Sequence, residues 1–333
     1  MTMHWLDIED EEKLDILIKA SESTGLEPYA IEKDWWMVQT LRLIWQMDVA
    51  NHLVFKGGSS LSKGWGLIER FSEDIDLALD REFLGFSGSI SRTQVGKLRD
   101  ASYAYISDKF YPLLIQKFEE AGFPGLNIVI ANPEIADQDP LIIDIYYPYV
   151  TQQSTYVQPR IRVEVGGRSL REPFSNRQFS SMVGEHFKGK DFADDPIEIP
   201  CVNPERTFLE KLFLLHEEFQ KPQEKIRVDR LSRHLYDIER ISNTGFAETA
   251  MADKELYHSI VTHRERFTRI GGIDYTSHSP PNLNPIPPKG LIKSWEKDYK
   301  EMQERMIYGE SLPFNKLLEV IAGISDQINQ LKS

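Results

Sequence analysis

One cysteine, Cys201, stands among 333 residues, which excludes an intramolecular disulfide and fits a reducing compartment. Set in Ile-Pro-Cys-Val, it reads as a small buried apolar residue rather than a nucleophile. No window approaches the roughly 18 consecutive apolar residues that a membrane-spanning helix needs. The start, MTMHWLDIEDEEKL, lacks the basic and apolar regions of a signal peptide. A soluble, cytoplasmic protein with no membrane partner is therefore expected. Positive charge is short: 39 Lys and Arg against 52 Asp and Glu leave a net charge of −13. That argues against broad, non-specific binding to nucleic acid or anionic membrane, whose affinity comes from cationic side chains, while leaving a local basic patch open. There is no internal repeat, no GxGxxG and no Walker-A sequence, Lys63-Gly64 running in the wrong order. The histidines form no H-x-x-x-H or Cys/His cluster, so zinc has no support. With 41% hydrophobic residues, the chain has core enough for one large or two ordinary domains.

The stretch richest in chemistry is VFKGGSSLSKGWGLIERFSEDIDLAL, from Val54 to Leu79. A short apolar run ends on Gly57-Gly58, Ser59 and Ser60 open a helical pattern, and Asp74-Ile-Asp76-Leu-Ala-Leu closes it with strand alternation. Residues two apart in a strand share a face, so Asp74 and Asp76 project together. Two adjacent carboxylates repel unless a cation sits between them, and Mg²⁺ takes one or two carboxylates plus phosphate oxygens. A glycine turn at a helix start offers backbone N–H groups to a phosphate. Each feature alone is more often a solvated face or a plain turn; their order within one strand–helix–strand unit points to metal-dependent chemistry on a nucleoside triphosphate. Glu73 has the opposite parity and Asp80 ends the strand, so both are set aside.

Residues 1–50 read as helices, the second starting at Pro28. They resemble a helix-turn-helix, but Glu32 and Asp34 stand where a DNA reader wants basic or amide side chains. Packing on the next domain is favoured, with Trp35-Trp36 as core rather than a base-stacking platform. A long helical pattern spans 93–120, and strands are expected at 126–130, 141–147 and 160–165. Asp144 and Glu164 interrupt two of these strands and each needs a counter-charge or a metal. Either acid could be a third carboxylate, and Arg160 and Arg162 share Glu164's parity. Residues 166–200 look loop-rich, their Arg168, Arg171 and Arg177 facing either phosphates or ordinary salt-bridge partners. From Pro204 the chain reads as all helical, with helices at 204–219, 228–242, 246–254, 255–268, 291–308 and 313–331, and the run His216-Glu-Glu as a solvated helix end. The expected architecture is α+β: an N-terminal helical segment (1–50), a mixed β-sheet core with flanking helices (51–200) and a helical C-terminal domain (201–333).

The opening motif resembles that of the polymerase-β-type nucleotidyltransferase superfamily. FKGGSSLSKGWGLIERFSEDIDL is more specifically similar to the AbiEii/AbiGii toxin family, with its Gly-Gly-Thr-type turn followed by R-F-S-E-D-I-D; here Ser59 replaces the threonine and keeps the hydroxyl. RVEVGGRSLREP, PERTFLEKLFLLHEEF and SRHLYDIERI extend the similarity over residues 28–245. The resemblance implies a nucleotidyltransferase fold with a two-metal Mg²⁺ site, a nucleoside triphosphate as substrate, a cognate antitoxin, a role in phage defence and tRNA as an acceptor in some members. It assigns Gly57, Gly58, Ser59, Ser60 and Lys63 to the nucleotide and Asp74 and Asp76 to the metals. Glu164 becomes the third carboxylate, and Lys211 and Asp237 match the family's C-terminal catalytic positions. From the residues alone, Lys211 is a solvated helix lysine and Asp237 an i,i+4 partner of Arg233. The alternatives are a catalytically silent nucleotide- or antitoxin-binding module and a small-molecule nucleotidyltransferase of the antibiotic-modifying kind.

Overall fold

A computed structural model describes residues 4–132, 138–152 and 158–331. The chain forms two compact units, one from residues 1–64 and 71–202, the other from 65–70 and 203–333.

The first unit is built on a seven-stranded mixed sheet. Its strands are β1 (Leu53–Lys56), β2 (Asp74–Leu79), β3 (Asn127–Ile130), β4 (Leu141–Tyr146), β5 (Arg160–Gly166), β6 (Phe174–Phe179) and β7 (Ile197–Val202), in the order β3-β4-β5-β2-β1-β7-β6. β1 runs antiparallel to β2, and β2 parallel to β5. The helices are α1 (Asp10–Thr24), α2 (Pro28–Ile44), the short α3 (Gly57–Ser59), α4 (Arg92–Tyr105), α5 (Tyr111–Glu120) and α6 (Met182–His186). The long pattern over 93–120 is one helical rod whose middle, Ile106–Phe110, widens to a π-helix.

α2 begins on Pro28, whose missing N–H costs nothing in a first helical turn. Its residues are buried almost all round, five of them polar: Glu32, Lys33, Asp34, Gln39 and Thr40. Such a helix is a core element and cannot enter a DNA groove. Each charge on it has a partner. The Glu32 carboxylate accepts from the Val150 amide at 2.8 Å and from Thr151, Lys33 pairs with Glu73 at 2.8 Å, and Asp34 pairs with Lys63 at 3.1 Å. Trp35 and Trp36 are core, Trp36 stacking on Tyr147 at 5.0 Å between centroids.

The segment 166–200, expected to be loop, contains β6 and β7. β6 is an edge strand whose residues from Phe174 to Gln178 are all partly or fully exposed, so no apolar alternation marks it. β7 carries Pro200, a residue that argues against an inner strand. Its place is set by tertiary pairing, Phe55 of β1 opposite Cys201. Cys201 is fully buried as expected, and burial pushes its thiol up to about 12. A Cβ on Gly64 would stand 2.7 Å from its sulfur, so glycine is needed there.

The second unit holds α7 (Pro204–Phe219), α8 (Ser232–Ser242), α9 (Gly245–Ala252), α10 (Lys254–His263), α11 (Ile292–Arg305) and α12 (Phe314–Asn329), close to the helices expected from the apolar period. The loop before β2 belongs here as well. Arg70 bridges Ile307 in antiparallel fashion, Tyr308 donates its amide to the Glu69 carbonyl at 2.9 Å, and the Tyr236 hydroxyl accepts from the Glu69 amide at 3.2 Å. The expected solvated run at the end of α7 is instead buried. Glu217 lies between Arg264 at 2.5 Å and His278 at 3.1 Å, and Glu218 takes Lys221 at 2.7 Å and Arg227 at 2.8 Å. Helical spacing could not show this, because the cations covering the face come from later loops and helices. Among the described residues no helix is long and apolar enough to cross a membrane.

Candidate active site

β1 ends at Lys56, and the chain turns through Gly57 at φ +77°. That left-handed value favours glycine. It also leaves room for a neighbour: a Cβ on Gly57 would collide with the Asp76 carboxylate. The glycine turn and the second aspartate of Asp-x-Asp are therefore in contact, as Lys56 is the register partner of Asp76 across the β1–β2 pair. Gly57→Ala is expected to cost at least about 1–2 kcal/mol from backbone strain, and to push the Asp76 side chain aside. Urea denaturation and an activity assay on the same preparation test both effects; a variant as stable and active as the parent contradicts this packing.

Ser59 is fully buried, and its hydroxyl donates to the Asp74 carbonyl at 2.6 Å and lies 3.0 Å from the Ser72 hydroxyl, from which it can accept. The side chain thus ties the turn to the start of β2, leaving the backbone as the part of the turn suited to an anion. Ser60 is buried, its hydroxyl against the Cys201 thiol. Lys63, assigned to the nucleotide from the resemblance, is not turned to the glycine loop. Its ammonium is buried between Asp34 at 3.1 Å and Glu185 at 3.7 Å.

Across the parallel pair, Asp74 lies opposite Arg162 and Asp76 opposite Glu164. The structure separates the two acids that the sequence left undecided. Asp144 is buried in an ion cluster with Arg160 at 2.6 Å and Arg162 at 3.0 Å, so the arginines expected beside Glu164 neutralise Asp144 instead. Among the described residues no cation lies within ion-pair distance of Glu164. Burial, then the facing charges of Asp76 and Asp74, push its carboxyl from the ordinary 4.5 up to about 7.

This elevation sets a stability profile. The fold prefers the protonated acid, so the contribution of Glu164 to stability is fullest below about pH 4.5 and is lost as pH rises through about 7. At roughly 1.4 kcal/mol for each tenfold change in the ionisation constant, the loss is on the order of 3 kcal/mol by pH 8. Glu164→Gln is expected to raise the melting temperature at pH 8 and leave it unchanged near pH 4.5. Equal melting changes at both pH values would contradict the mutual repulsion of these acids.

Other charges nearby are structural. Arg171 pairs with Asp80 at 2.7 Å, Arg168 with Asp139 at 2.9 Å, and Arg177 donates to the Gly64 carbonyl at 2.8 Å. Lys33, missed in the sequence, bonds both Glu73 and the Gln158 carbonyl at 2.9 Å, and so pins the residue just before Asp74. A lysine and an aspartate inside the apolar period of α2 were the only sequence signal of these buried pairs.

In the helical unit, Lys211 and Asp237 meet. Lys211 is buried rather than solvated, its ammonium 2.8 Å from Asp237 Oδ2 and 3.4 Å from His234 Nδ1. The partner of Asp237 is not Arg233 by helical spacing but Arg70, which donates to both carboxylate oxygens at 2.7 Å. Arg70 and Lys211 outweigh the cost of burial and hold Asp237 well below the usual carboxylate range. Burial, with Lys211 next, keeps His234 neutral, free to accept from the ammonium. Arg70 sits in the R-F-S-E-D run, so its identity was visible in the sequence although its partner was not.

No group of three or more His, Cys, Asp and Glu side chains among the described residues is arranged to hold a metal ion. A mixed sheet with a glycine turn after one central strand and Asp-x-Asp on the next is consistent with a nucleotidyltransferase-type fold. Over residues 40–320 the chain matches the family described as nucleotidyl transferase AbiEii toxin, type IV toxin–antitoxin system. It belongs to that family, whose activity class is nucleotidyl transfer and which implies an antitoxin partner. Comparison with curated proteins gives no match.

Proposed function

We propose that this protein transfers a nucleotide from a nucleoside triphosphate to a hydroxyl acceptor, tRNA being the acceptor class the resemblance favours, as the cytoplasmic toxin of a phage-defence toxin–antitoxin pair. The observation that carries the proposal is the approach of Asp76 to the glycine turn on one side and to Glu164 on the other. The donor set fits Mg²⁺: all oxygens, two carboxylates on facing strand positions, further ligands to come from phosphate. Asp76 and Glu164, opposite each other across β2 and β5, would hold it, and the resemblance assigns Asp74 to it as well. Bound there, Mg²⁺ would neutralise the triphosphate and lower the barrier to attack. The backbone N–H groups at Gly57 and Gly58 would orient the phosphates, since nucleotide transfer is mostly positioning and electrostatics. The acceptor hydroxyl releases its proton to solvent and its oxygen forms a bond to the α-phosphorus as the bond to the bridging oxygen breaks and pyrophosphate leaves. Ser59 contributes by fixing the turn to β2, not by touching phosphate with its hydroxyl. Lys211 and Asp237 are assigned to the same reaction by resemblance.

The test is incubation of the protein with each labelled triphosphate, Mg²⁺ and total tRNA. Label on RNA that depends on Asp76 is the expected result. Label on no acceptor favours the silent binding module, and label on a small molecule favours the antibiotic-type enzyme.

A further inference from the structure

Lys56 closes β1 and stands directly before the glycine turn. Its backbone is still extended, at φ −136° and ψ −173°, so the strand register holds through this residue. Lys56 faces Asp76 across the antiparallel β1–β2 pair, and Asp76 faces Glu164 across the parallel β2–β5 pair. Opposite residues of neighbouring strands project to the same side of a sheet. Lys56, Asp76 and Glu164 therefore form one row across three strands. All three are partly exposed, while Phe55, Leu77 and Val165, their neighbours along the strands, are buried on the other face.

The charge of Lys56 is felt at Glu164, where it works against the two aspartates that push that carboxyl up. Yet among the described residues its ammonium forms no ion pair and no hydrogen bond. The other cations around this face are committed to the fold: Arg160 and Arg162 to Asp144, Lys33 to Glu73, and Lys63 to Asp34. A lysine kept for architecture ends in such a pair. Lys56 does not, although it shares a sheet face with two unpaired carboxylates. Those carboxylates offset the charge of a Mg²⁺ held by them, so a triphosphate at the glycine turn needs a further cation from the chain. A flexible, strongly hydrated ammonium next to the turn suits phosphate oxygens. We propose that Lys56 is a substrate-binding residue of the carboxylate site, its ammonium donating to the phosphate oxygens of the nucleoside triphosphate. This rests on the nucleotidyl-transfer reading above and adds to it a residue that neither the motif nor the resemblance assigns.

The experiment is titration calorimetry of the full chain, in Mg²⁺, with the α,β-methylene analogues of the four nucleoside triphosphates, which bind but cannot be transferred. Lys56→Met removes the charge and keeps most of the stem. It should weaken whichever analogue the parent binds by about tenfold or more, the worth of a hydrogen bond to a charged group. Lys56→Arg should stay within about threefold of the parent. Titration with Mg²⁺ alone separates binding from architecture. Removing a cation beside the carboxylates should leave Mg²⁺ affinity equal or up to about fivefold tighter, whereas a distorted site would lose Mg²⁺ and triphosphate together. Lys56→Gln repeats both titrations, and melting curves confirm that each variant is folded. Unchanged triphosphate affinity in Lys56→Met, or Mg²⁺ affinity falling with it, overturns the role of Lys56 and leaves nucleotide transfer standing. A parent that binds no analogue removes the transfer reading itself, and this inference with it.

Discussion

Asp76→Asn is expected to reduce nucleotide transfer by about a thousandfold or more, the equivalent of several kcal/mol of lost charge stabilisation. It should also abolish toxicity on induced expression. The same substitution should not destabilise the protein. Asp76 adds to the repulsion that raises the Glu164 carboxyl, so its removal should hold or increase the melting temperature at pH 8. Loss of activity with retained or improved stability is the signature of a carboxylate kept for chemistry rather than for folding. A fully active Asp76→Asn protein would remove the basis of the proposed site. An inactive protein that melts well below the parent would mean that Asp76 is structural. Addition of Mg²⁺ gives an independent reading: it should raise the melting temperature of the parent at pH 8 and do so less in the variant, because a ligand that binds only the folded state stabilises it.

Asp237→Ala is expected to be the most damaging single change in the helical unit. It leaves the Arg70 guanidinium and the Lys211 ammonium buried without their shared counter-ion. Breaking a buried ion pair in this way costs about 3–5 kcal/mol, a large part of the roughly 5–15 kcal/mol that holds a domain folded. Urea denaturation should show the drop directly, and an unchanged midpoint would mean that the cluster does not stabilise the unit. Lys211→Met separates architecture from chemistry. It removes one cation but leaves Asp237 with both bonds from Arg70, so stability should change little. If Lys211 serves the triphosphate, transfer falls in this variant while the denaturation midpoint holds. If Lys211 takes no part in the reaction, transfer holds as well.

Much of the fold was legible because it depends on local periodicity. The alternation Asp74-Ile-Asp76-Leu gave β2, the apolar runs around Ile143 and Val163 gave β4 and β5, and the spacing of Phe208, Leu212 and Leu215 gave α7 nearly to its ends. β6 and β7 were not legible. An edge strand with exposed polar residues and a strand bearing Pro200 have no pattern of their own, and pairing with β1 and with each other makes them strands. The buried ion pairs escaped for a related reason. A lysine or glutamate on a helix looks solvated until its distant partner is known, as with Lys63 and Asp34 or Glu217 and Arg264.

The sequence alone determined the family, the central motif and the shared face of Asp74 and Asp76, since residue spacing along a strand or helix dictates which side chains project together. Tertiary structure decided what each charge is for. It placed Glu164 against Asp76 and gave Asp144 to two arginines. It turned Lys63 toward Asp34 and drew Arg70 into the helical unit beside Asp237. A buried charge is settled by whatever counter-charge or repulsion surrounds it in space, and those neighbours lie up to 167 positions away along the chain.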